Sequence, residues 1–198
     1  MNYQGLICVS LLIVGITFCF FDEVLKKVKL TQIKAMFLLL VVLVLNLLPP
    51  VKTLNSTIYL GGFSFFILCL IGLFFVKANF AFNLLSIFLN VLMLIMLQLI
   101  NEKMIMSNKF IEAQVLVLLL VNWLSTRGVL QNILCGVVSL YLFSLLSFAL
   151  PFMRQDFLIL GGGEQFYSVI LFVFLVMLTY NVRFYYDEHK KERNLRKI

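Results

Sequence analysis

Seven apolar stretches, most of them close to the length of a bilayer crossing, follow one another with only short polar breaks. They run Gly5–Phe21, Leu30–Leu48, Ile58–Val76, Ala81–Ile100, Ile111–Leu124, Val129–Leu150 and Phe157–Val182. A helix needs about 20 residues, with a range of about 17–25, to cross about 30 Å of hydrocarbon at about 1.5 Å per residue. The fifth stretch is short, and its separation from the sixth rests on length. Read as one helix, Ile111 to Leu150 would be ~60 Å long, twice the hydrocarbon thickness. The string Ser125-Thr126-Arg127-Gly128 is therefore read as the turn of a helical hairpin.

Composition agrees with that reading. The chain is 63% hydrophobic and 13% charged, against about 45–50% and about 25% in a soluble domain. With so little polar residue to clothe a water-facing surface, soluble globular, disordered, collagen-like and disulfide-scaffold classes are excluded. The expected fold is an all-α, polytopic transmembrane helix bundle of seven spans, with six as the alternative. One bundle covers residues 1–182, and residues 183–198 form a basic cytoplasmic tail. The lipid bilayer is the expected surrounding, with other membrane proteins as further partners.

Charge sets the expected orientation. With the N-terminus outside, the inner segments hold twelve of the sixteen Lys and Arg: Lys26, Lys27, Lys29, Lys34, Lys77, Arg127, Arg183, Lys190, Lys191, Arg193, Arg196 and Lys197. The outer segments hold Lys52, Lys103, Lys109 and Arg154. The positive-inside rule then favours an outside N-terminus and a cytoplasmic C-terminus. The basic excess is spread over short loops and one tail, so no nucleic-acid partner is expected. No basic residue precedes the first stretch, which argues for an anchor rather than a cleaved signal.

Familiar catalytic constellations are missing from the sequence. The only histidine, His189, lies among the charges of the tail, so neither a helical metalloprotease pair nor a Ser–His dyad can be assembled. Asp22, Asp156 and Asp187 all fall at span ends. Cys8, Cys19, Cys69 and Cys135 lie in apolar runs without a CxxC pair, so they are read as packing residues. The expectation is a non-enzyme, with no cofactor and no metal.

Polar side chains inside the apolar stretches are the remaining candidates. Glu112 is an ionisable group two residues from the start of its stretch, where an acid suits a helix N-terminus; a proton or cation site is the alternative. Gln114 follows closely. Asn83, Ser86 and Asn90 share one helix face at spacings of three and four, and Gln131 and Asn132 open the sixth stretch. Such groups either hydrogen-bond between helices or line a polar cavity. The candidate cavity residues are Asn83, Ser86, Asn90, Glu112, Gln114 and Asn132. Small residues mark close helix approaches: Gly5, Cys8, Gly15 and Cys19 flank Leu12 in one stripe, with Gly62, Cys69 and Gly72 on the third stretch and Gly136 and Ser139 on the sixth. Gly161-Gly162-Gly163 is poor helix material. It is read as an irregular loop or a short re-entrant element, with the last span starting near Gln165. The tail is expected to continue that helix.

The opening Ile16-Thr17-Phe18-Cys19-Phe20-Phe21, leading into a Lys-rich loop, resembles the YphA-type small multi-pass membrane proteins of Bacillus and related bacteria. That resemblance implies an integral protein of the bacterial plasma membrane and carries no activity over to named residues. Two functions are expected from the whole: a non-enzymatic accessory or anchoring component, or a small-solute carrier or substrate-binding subunit of an importer. Size and hydropathy are similar to those of the membrane subunits of energy-coupling-factor importers, without a motif that identifies one. The face of Asn83, Ser86 and Asn90 discriminates: a carrier would have it lining a cavity, a packing protein sealed against neighbouring helices.

Overall fold

Each apolar run of the sequence contains a helix, though several helix ends differ from the ends of the run. The computed structural model describes residues 3–75, 80–104, 110–126, 128–150 and 158–195. Among these are eight helices: α1 (Tyr3–Thr17), α2 (Asp22–Val28), α3 (Gln32–Leu47), α4 (Leu60–Phe75), α5 (Phe80–Met104), α6 (Phe110–Ser125), α7 (Val129–Ala149) and α8 (Gly163–Leu195). Three are long and apolar enough to cross a membrane: Phe80–Asn101, Val129–Ala149 and Gly163–Lys190. The bent pair α1–α2 makes up to four. Helices α3, α4 and α6 are apolar but have 16 residues each, ~24 Å at the usual rise. The last helix starts at Gly163, close to the expected Gln165, and continues through the basic segment to Leu195. Residues Lys77, Lys109, Arg127, Arg154, Arg196 and Lys197 of the charge count, and Phe157 at the expected start of the last stretch, lie outside the described residues.

Two features depart from the sequence reading. The first stretch is not one straight helix. It breaks after Thr17, and α2 leaves at 92°. Thr17 Oγ1 donates a hydrogen bond to the Ile13 carbonyl at 2.8 Å, Cys19 takes φ 59°, and Phe21 folds back over Gly15, where a Cβ would crowd its ring. Phe21 is buried edge-on against Phe174 of α8, ring centres 6.3 Å apart. The turn keeps its backbone hydrogen-bonded, Cys19 N–H donating to the Ile16 carbonyl and Phe20 N–H to the Gly15 carbonyl. The small-residue stripe is displaced accordingly: α1 buries Val9, Leu12 and Ile16, while Cys19 lies past the helix end and is exposed.

The second departure is a small sheet in an otherwise helical chain. Strands β1 (Val51–Lys52) and β2 (Ser56–Ile58) form an antiparallel hairpin, and β3 (Leu158–Leu160) pairs parallel with β2. Leu48 is extended (φ −66°, ψ 150°) ahead of Pro49, as a residue before proline prefers, so α3 stops and the chain enters the hairpin. The β-branched residues Val51, Thr57 and Ile58 suit a pleated strand. The pairing brings the α3–α4 and α7–α8 connections to one end of the bundle.

From α3 onward, successive helices alternate in direction along the bundle. Gly61 at the start of α4 packs on Val42 and Asn46 near the end of α3. Gln165 at the start of α8 reaches Ser144 late in α7. One end of the bundle therefore carries the hairpin and the starts of α4, α6 and α8; the opposite end carries α2, the starts of α5 and α7, and the basic extension of α8. There Lys27 stands 5.4 Å above the Phe184 ring. Helix α7 lies innermost, touching α4, α5, α6 and α8, and its span is 67% buried against 33% for α5.

The exposed faces are apolar where a soluble protein would be polar. Helix α5 buries Asn83, Ser86 and Asn90 and exposes Phe82, Leu85, Phe88, Leu92 and Met96. Helix α3 likewise exposes Ile33, Phe37, Leu40, Val44 and Leu47. A water-soluble monomer rarely shows apolar patches beyond a few hundred Å². Polar inside and apolar outside is the arrangement that lipid favours.

Candidate functional site

The polar residues of α5 meet those of α6 and α7 in a seam near the tail end. Asn122 of α6 is the hub: its Oδ1 accepts from Asn90 Nδ2 at 2.9 Å and from Ser86 Oγ at 3.3 Å. Ser86 also shares a hydrogen bond with Ser125 at 2.8 Å. Gln131 of α7 donates to Asn83 Oδ1 at 2.5 Å. All of Asn83, Ser86, Asn90, Asn122 and Gln131 are buried. The helices can approach because Gly136 gives α7 no side chain there: a Cβ would overlap the Phe172 ring and press on the Asn122 amide. On the outer side a groove of about 550 Å³ between α5 and α6, walled by residues such as Phe82, Leu89, Met93 and Leu124, reaches Ser86 and Ser125.

The other candidates lie elsewhere. Asn132 is buried on α7 with its Oδ1 unpartnered. Glu112 is exposed in the first turn of α6, where an acid complements the helix dipole. Gln114, two residues on, points the other way, into a cavity. The six residues thus divide between a hydrogen-bonded seam (Asn83, Ser86, Asn90), a cavity wall (Gln114) and two separate positions (Glu112, Asn132).

That cavity, about 670 Å³, lies at the hairpin end among α5, α6, α7 and α8. Gln98, Gln114, Ser144, Gln165 and Ser168 supply amides and hydroxyls, Glu164 a carboxylate, and Phe110, Ile111, Leu140, Phe143 and Ile159 the apolar wall. Its floor is rigidly tied. Gln165 Oε1 accepts from the Gly161 N–H at 2.6 Å while its Nε2 donates to Ser144 at 2.9 Å. Gly161 is left-handed at φ +75° and packs against the backbone of Gly62 and Phe63, so even a methyl group would be excluded. Tyr141 donates to the Gly62 carbonyl at 2.7 Å and stacks on Phe66. The glycine string is thus a packed junction between β3 and α8. Ser144, Gln165 and Ser168 were not singled out from sequence. The spacing of four between Glu164 and Ser168 was available as a signal, but the partner helix was not.

Comparison with protein-family models, curated proteins and solved structures finds no match to this chain.

Proposed function

We propose that this protein is a non-enzymatic, multi-pass component of the plasma membrane that assists or anchors other membrane components through its lipid-facing helices and basic helical extension. The observation that carries the reading is the seam: Asn83, Ser86 and Asn90 are spent on Asn122, Ser125 and Gln131. Polar residues committed to interhelical hydrogen bonds act as glue, and this supports the packing reading of the face.

In the proposed topology the chain crosses seven times, N-terminus outside and C-terminus inside. The β2–β3 pairing supports it, because an even number of helices, α4 to α7, separates two connections at one end. The 16-residue helices are accommodated by local thinning of the bilayer, at fractions of a kcal/mol per Å. In a cysteine-free background, Lys52→Cys should label with an impermeant maleimide in intact cells, and Lys190→Cys only after permeabilisation. The reverse pattern overturns the orientation. A photo-cross-linking residue at the exposed Phe37 position should trap one discrete protein in native membranes, with the buried Leu39 position silent. Lipid adducts alone overturn the accessory role.

A further inference from the structure

The cavity at the hairpin end holds a feature that helix packing does not explain. Gln114 is 7% exposed, yet its amide makes no hydrogen bond among the described residues and lines the cavity. The seam amides of the same bundle are placed against other side chains; this one faces open space large enough for a ligand, since small-molecule sites occupy about 300–1,000 Å³.

The lining selects a chemistry. Among the described lining residues Glu164 carries the one formal charge, and it is negative. It stands at the exposed mouth, beside Gly163. Phe110, Phe143 and Leu140 line the same cavity. A carboxylate at the rim favours an ammonium group, and aromatic faces receive both an apolar body and a cation. Gln114 offers one donor and one acceptor to whatever lies between. Gln165 is occupied by Gly161 and Ser144 and serves to hold the wall in place.

We propose that this cavity binds a small organic cation with an apolar body, of the aryl-alkyl ammonium class, with its ammonium at Glu164 and its body against Phe110 and Phe143, hydrogen-bonded by Gln114. The proposal does not depend on the accessory role, because it concerns a different part of the bundle from the seam.

The test uses three near-isosteric probes on the purified full-length protein in detergent: tryptamine, the neutral alcohol tryptophol and the anion indole-3-propionate. Tryptamine should raise the melting temperature in a saturable way, as a ligand that binds only the folded state must. Glu164→Gln and Gln114→Ala should each weaken its apparent affinity about tenfold, a loss typical of one polar contact to a charged group. Glu188→Gln, which removes the same charge from the exposed helical extension, should leave the affinity unchanged and separates site binding from micelle charge. Glu164 is exposed, so its variant retains the fold even if Gln114→Ala does not. Equal stabilisation by tryptophol or indole-3-propionate overturns the proposal, as does an unchanged tryptamine affinity in Glu164→Gln. No response to tryptamine up to about 1 mM, the weak end of specific binding, overturns it as well.

Discussion

Replacing Asn122 by alanine removes the hub of the seam, and the structure lets the cost be worked out bond by bond. Asn122 Oδ1 accepts two hydrogen bonds, from Asn90 and Ser86. Interhelical hydrogen bonds in membrane proteins average about 0.6 kcal/mol, with a maximum of about 1.7. The Ser86 bond is long at 3.3 Å, and its hydroxyl keeps Ser125 at 2.8 Å, so little is lost there. Asn90 is different. It is 0% exposed and its Oδ1 is already unpartnered, so the variant leaves the whole amide without a bond. The expected loss is ~1–2 kcal/mol, between the average bond and the cost of a stranded buried donor.

Equilibrium unfolding in mixed micelles measures this. Trp123, the single tryptophan, neighbours the mutated site and is exposed, which gives a fluorescence signal on α6 itself. A double-mutant cycle with Asn90→Ala isolates the pair, with an expected coupling of about 0.6 kcal/mol. If Asn122→Ala leaves stability within about 0.3 kcal/mol of wild type and the cycle is additive, the seam does not hold α5 to α6, and the argument for polar glue falls.

Two further substitutions probe the packing around α7. Gly136→Val should destabilise by about 1–3 kcal/mol, the usual cost of overpacking, because its Cβ meets the Phe172 ring. Phe172→Ala in the same chain should recover part of that loss in the unfolding midpoint. Tyr141→Phe keeps the stack on Phe66 but removes the bond to the Gly62 carbonyl, and should cost about 1 kcal/mol; a melting curve identical to wild type would disconnect α4 from α7.

Several helices were readable from the sequence because their apolar runs stop at a residue that breaks a helix. Pro49 after Leu48 and Gly128 before Val129 mark such boundaries, and both helices, α3 and α7, end or begin beside them. The face of Asn83, Ser86 and Asn90 was equally legible, since a spacing of three and four fixes a face whatever packs on it. Its partners were not. Asn122, Ser125 and Gln131 come from two other helices, and which helix docks there depends on the room at Gly136 and the bulk of Phe172. The break after Thr17 was hidden for a related reason: Phe18 to Phe21 reads as uninterrupted apolar helix, and the turn there accompanies burial of Phe21 against Gly15 of α1 and Phe174 of α8. The sheet was missed because two- and three-residue strands leave no periodicity to count.

That sheet also fixes an order of events during synthesis. Strand β2 leaves the ribosome roughly a hundred residues before its partner β3, since Ser56 pairs with Leu158. At about 5–20 residues per second the edge of β2 waits on the order of 5–20 s with its hydrogen-bonding groups open. Everything from α4 to α7 must be threaded first. The last strand to arrive then acts as a latch, binding the early hairpin to the late connection between α7 and α8 and locking the order in which the helices were laid down.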